Sequence, residues 1–90
     1  MAGYKLTIKL SAAKELAAVG HKNDRQRLSA TISKLSEDPR PAACRKLAGH
    51  QTRYRVRQGE YRVVYAIDEA ARVVDVVKIG HRREVYDRHS

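Results

Sequence analysis

Arg53, Arg55 and Arg57 stand at alternate positions, and their spacing is the first sign of chemistry in this chain. Side chains two apart on a strand leave the same face, so an extended segment here sets three guanidinium groups in a row. Guanidinium engages phosphate oxygens bidentately and stays protonated in proteins, so the row suits gripping phosphate rather than moving protons. Arg62 follows, and a two-residue turn at Gly59-Glu60 would set it directly opposite Arg57. Like charges in such a cross-strand pair destabilise by roughly 0.2–1 kcal/mol. A stretch that tolerates this cost, while tyrosines and valines fill its other face, is arranged to hold something negative. The plainer alternative is the solvated face of an amphipathic hairpin. Arginine rather than lysine at nearly every position favours phosphate. A second basic cluster, His81-Arg82-Arg83, follows a strand that neighbours the middle one and is expected to join the same patch.

The surrounding charge supports that emphasis. The 90 residues carry 19 Lys and Arg against 10 Asp and Glu, a net charge of +9. Between positions 40 and 62 lie Arg40, Arg45, Lys46, Arg53, Arg55, Arg57 and Arg62 with Glu60 the one acid, so this quarter of the chain supplies +6 of the total. Such an excess raises the expectation of an anionic partner, nucleic acid foremost. Other classes fall away. No apolar run approaches the roughly 18 residues of a membrane span, and the N-terminus lacks a long apolar signal region. The single cysteine, Cys44, has no internal disulfide partner, which fits a cytoplasmic protein. His21, His50, His81 and His89 show no metal-ligand spacing, so no metal or other cofactor is expected. Among the five tyrosines, Tyr54, Tyr61 and Tyr65 read as core. Tyr86 lies beyond the last strand near Arg82 and Arg83 and is the aromatic best placed for a functional role.

These residues must be positioned by one small domain spanning 1–90. Residues 4–10 alternate, with Tyr4, Leu6, Ile8 and Leu10 on one face, which predicts a half-buried strand. Ser11 stands as N-cap of a short helix near Ala12–Val19 that Gly20 ends. A second helix is expected from Asn23 or Asp24, with Leu28, Ile32 and Leu35 as its apolar stripe and Pro39 as its stop. The span 38–52 reads as a loop or a short turn of helix. Three strands follow, at Tyr54–Gln58, Tyr61–Ile67 and Arg72–Ile79, joined by tight turns. Tyr61, Val63, Tyr65 and Ile67 share one face of the middle strand. The expected fold is α+β: an N-terminal strand, two helices, then a three-stranded antiparallel meander, with the helices packed on one sheet face.

The run YRVRQGEYRVVY at 54–65, preceded by RKLAGH at 45–50 and followed by KIGHRREVY at 78–86, resembles the RelE toxins of the RelE/ParE superfamily. These are the toxin halves of bacterial type II toxin–antitoxin systems. The likeness spans nearly the whole chain and agrees with its length, charge and element order. It implies a RelE-like fold and a metal-independent endoribonuclease that cuts messenger RNA on the ribosome. The cut proceeds by attack of the 2′-hydroxyl on the adjacent phosphate and inhibits translation. It also implies a cognate acidic antitoxin that folds over the basic face, DNA being contacted only indirectly through that partner. By position, Arg55 and Arg57 match two basic residues of the first hairpin strand, Arg62 the arginine of the second, Arg82 the arginine after the last strand, and Tyr86 the C-terminal tyrosine. Where well-studied members have lysines, this chain has Arg55 and Arg57, and an arginine is no general base. The catalytic set is therefore read as Arg55, Arg57, Arg62 and Arg82 for charge, with His81 or Tyr86 for proton transfer. Arg45, Lys46, Arg53 and Arg83 are read as RNA contacts. Two other functions fit the same residues: a ParE-like inhibitor of DNA gyrase, and a non-catalytic RNA-binding module.

Overall fold

A computed structural model of the chain describes residues 3–81. The elements run β1 (Lys5–Ile8), α1 (Leu10–Ala17), α2 (Lys22–Lys34), β2 (Arg45–Lys46), β3 (Arg53–Gln58), β4 (Tyr61–Asp68) and β5 (Val73–His81). One five-stranded sheet results, in the order β1-β5-β4-β3-β2. The predicted meander is present as β3, β4 and β5, each antiparallel to the next. The N-terminal strand joins β5 in parallel, from Lys5 opposite Val73 to Ile8 opposite Val76. The mixed sheet and two helices are the α+β arrangement read from the pattern, with one strand more than expected.

Both helices cover one face. Leu28, Ile32 and Leu35 from the second helical stripe meet Val56, Val63, Tyr65, Ile67, Val74, Val76 and Ile79 from the strands, and Ala12 and Val19 complete the core. The middle-strand face of Tyr61, Val63, Tyr65 and Ile67 is therefore the face that packs, as its alternation requires. Hydrophobic burial at roughly 25 cal/mol per Å² is what fixes the helices there.

The first helix begins earlier than the Ser11 cap implies. Lys9 is the N-cap, in extended conformation and without a side-chain capping bond. Its N–H donates to the Val76 carbonyl at 2.9 Å while its own carbonyl accepts from Ala13 N–H, so the last sheet contact doubles as the first helical one. Leu10, which alternation assigned to the buried strand face, is consequently 71% exposed in the first turn of the helix. The second helix likewise starts at Lys22 and stops at Lys34, short of Pro39.

The third strand of the meander carries a bulge. Val64 pairs with Lys78 but Tyr65 pairs with Val76, leaving Val77 as an extra residue. An unbroken period of two would put Ile79 on the face opposite Val74 and Val76. The extra residue shifts the phase, and all three are buried in the helix-side core. Val77 itself packs on the other face with Leu47 and Val64.

Candidate nucleic-acid interface

On the face away from the helices, the strands place basic side chains in facing pairs. The turn at Gly59-Glu60 has Gly59 at φ 60°, the glycine-first pattern of a tight hairpin turn, and it sets Arg57 directly opposite Arg62. The two-residue β2 sets Arg45 directly opposite Arg55. Arg53 stands opposite Ala66, one step down the same row. An open cleft of about 270 Å³ is lined by Ala43, Arg45, Arg55 and Arg57. Arg62 is the one charged residue buried among those described, at 6% exposure, and its neighbour on the far side is Gly80, which has no side chain to compete for the space.

Three of the acids are engaged elsewhere. Ion pairs join Lys9 with Asp75, Arg40 with Glu69 and Lys78 with Glu15, and none of these three involves Arg53, Arg55 or Arg57. Glu69 accepts from the Tyr4 hydroxyl at 2.7 Å and pairs with Arg40 at 2.5 Å, and those two contacts, Tyr4 first, hold its carboxyl below the usual carboxylate range. Two like-charge pairs, each opposing the sheet by roughly 0.2–1 kcal/mol, thus lie at a cleft that no carboxylate lines among the described residues. An anion bound there would relieve both. A larger concavity of about 810 Å³ opens near Thr7, Thr52 and Tyr54, but Asp68, Glu69 and Asp75 line it, and those carboxylates repel phosphate.

Two expected members of the patch are not there. Lys46 pairs with Tyr54 and so faces away from Arg45. His81 pairs with Tyr61, while Arg62 pairs with Gly80, so the histidine is on the helix side. Its ring meets the Tyr61 ring edge-on with centroids 5.8 Å apart, and it borders a cavity shared with Glu15 and Val19. The bulge at Val77 is the physical reason: without that extra residue, the phase of β5 would turn His81 towards the arginines. The expectation that His81 joins them is corrected accordingly. Arg82, Arg83 and Tyr86 lie outside the described residues. Sequence reasoning found Arg45 as a basic residue but missed its place opposite Arg55, because a two-residue strand is too short to show a period.

A small α+β domain with a helix-packed sheet and an arginine-lined open face defines the class: a toxin of the RelE/ParE superfamily. The family model of the ParE toxin of type II toxin–antitoxin systems (parDE) matches residues 6–86, and the chain belongs to that family. Among solved structures, an E. coli RelE toxin mutant in the free state is 30% identical, with a TM-score of 0.78 over 97% of this chain and 94% of that one. The archaeal RelE–RelB complex from Pyrococcus horikoshii OT3 is matched at 28% identity and TM-score 0.78, over 91% of this chain and 97% of that one. The intact E. coli RelBE toxin–antitoxin complex is matched at 30% identity and TM-score 0.75, over 87% and 95% of the two chains. No curated protein matches the chain.

Proposed function

We propose that this type II toxin is a ribosome-dependent endoribonuclease that cleaves messenger RNA and is neutralised by a cognate acidic antitoxin. The observation that carries the reading is one open cleft lined by Arg45, Arg55 and Arg57, with Arg45 directly opposite Arg55 and the buried Arg62 directly opposite Arg57. A 2′-hydroxyl gives up its proton to a base as its oxygen attacks the adjacent phosphate in line, forming a 2′,3′-cyclic phosphate and breaking the bond to the 5′-oxygen, which takes up a proton from an acid. Negative charge gathers on the phosphorus oxygens in the transition state, and fixed cations aimed there lower the barrier. Arg55 and Arg57 hold phosphates along the strand, while the buried Arg62, restrained by its surroundings, stabilises the developing charge. Arg82 joins them by its match in sequence. Proton transfer passes to Tyr86, since His81 faces the helices. Arg53 and Arg83 extend the RNA contacts. Messenger RNA and the ribosome are the substrate assembly, the antitoxin covers the same cationic face, and the cytoplasm is where all of these meet.

The family model's ParE description keeps a second reading in view, inhibition of DNA gyrase without cleavage. Mapping messenger 5′ ends on ribosomes treated with the purified chain, beside a gyrase supercoiling assay, separates the two. Codon-positioned cuts that Tyr86→Phe suppresses and His81→Ala spares support the nuclease reading. Lost supercoiling with intact messenger overturns it.

A further inference from the structure

The wall of the cleft that carries Arg45 belongs to a segment with little sheet of its own. Residues 38–47 leave α2 on the helix side, turn at Cys44, whose N–H donates to the Pro41 carbonyl at 2.9 Å, and finish on the open face. There Leu47 packs on Val64 and Val77. The segment therefore wraps round the β3 edge. Its sheet pairing is short: Arg45 with Arg55, a repulsive couple, and Lys46 with Tyr54, extended by one bond from Leu47 N–H to the Arg53 carbonyl at 2.9 Å. So short a pairing ties the segment to β3 at its end and leaves residues 38–44 to be held by other contacts.

Two neighbouring residues of β4 hold the segment. At the far end, Val64 holds Leu47 from the open face. At the near end, Tyr65, fully buried, donates its hydroxyl to the Pro39 carbonyl at 2.7 Å from the helix side. Burial first, and the Cys44 neighbour second, push that hydroxyl well above the usual tyrosine range, so it remains a donor at every working pH. Arg40 adds a tie through Glu69 and the Tyr54 hydroxyl.

We propose that Tyr65 is a positioning residue of the arginine cleft: by holding the Pro39 carbonyl it keeps the wrapped segment closed, so that Arg45 contributes a phosphate contact against the repulsion of Arg55. The proposal rests on the reading of the cleft as a phosphate grip. Tyr65 never touches the ligand and acts only through the segment.

The test is the salt dependence of binding of a short single-stranded oligoribonucleotide, made uncleavable by 2′-O-methyl groups, to the purified full chain. Each phosphate contact contributes about 0.7 to the slope of log affinity against log salt for single strands. Arg45→Ala is expected to lower the slope by about that amount. Tyr65→Phe is expected to lower it equally, and the double variant no further. Should Tyr65→Phe fail to fold, Leu47→Ala, which loosens the other anchor, is expected to show the same loss of slope. A wild-type slope in folded Tyr65→Phe, or in Leu47→Ala where that variant stands in, overturns the proposal, whatever happens to the melting temperature. A wild-type slope in Arg45→Ala overturns both the proposal and the phosphate-grip reading of this cleft.

Discussion

On the helix side of the sheet, Val56, Val63, Tyr65, Val74, Val76 and Ile79 are sealed beneath two helices. On the other side the sheet presents the exposed Arg45 and Arg57 and the half-buried Arg53 and Arg55, around a small apolar island of Leu47, Val64 and Val77. The first face stabilises by removing apolar surface from water. The second buries only that small island, sets like charges opposite one another, and gains further stability from what binds to it, as any ligand selective for the folded state stabilises that state. The difference teaches that stability and function have been assigned to opposite faces of one sheet, and that the shared strands transmit position from one to the other.

Substitutions break this comparison most sharply where a residue serves only one face. Arg62→Ala is expected to reduce messenger cleavage by about a hundred- to a thousand-fold, the effect of losing one donor to transition-state charge. Circular dichroism on the same sample should still show the folded spectrum. Leu28→Ala, at a fully buried position of the helix side, is expected to cost about 2–5 kcal/mol in denaturant unfolding through its cavity. Any activity lost should then follow the folded fraction. Arg57→Ala should do the reverse of Leu28→Ala. Removing its repulsion with Arg62 raises stability by about 0.2–1 kcal/mol, while the salt slope of RNA binding falls by about 0.7. An Arg57 variant less stable than the parent would show that the facing arginines support the sheet after all.

The smallest effect is expected at the rim, where Tyr4 and Arg40 lower the carboxyl of Glu69. A carboxylate depressed by folding stabilises above the ordinary carboxylate value, and that contribution is lost as pH falls through the lowered value. Melting the parent and Glu69→Gln in parallel should therefore show a gap near neutrality that closes in acid. The gap should be slight, because Glu69 is exposed and solvent screens it.

Much of this was legible from the residues alone. The Leu28–Ile32–Leu35 stripe is the buried face of its helix, and Gly59-Glu60 places Arg57 against Arg62, because local periods and turn chemistry govern both. The expected role of Leu10 failed because alternation cannot tell the last residue of a strand from the first of a helix when one residue, Lys9, serves both. His81 failed for a longer-range reason. The run at 73–79 contains two valine pairs, and nothing within it says where the phase slips. Burial of Ile79 against the helices decides that, and His81 turns with it.

By itself, then, the order of residues determined the element types, the arginine row, the charge excess and the family, since each depends on neighbours a few positions apart. Tertiary structure decided that β1 lies parallel to β5 and that residues 38–47 wrap the sheet edge to bring Arg45 before Arg55. It also decided that His81 belongs to the helix side. Those outcomes depend on which apolar surfaces meet across long separations in the chain, and the balance between burying Ile79 and keeping a regular strand exists only once the helices are in place.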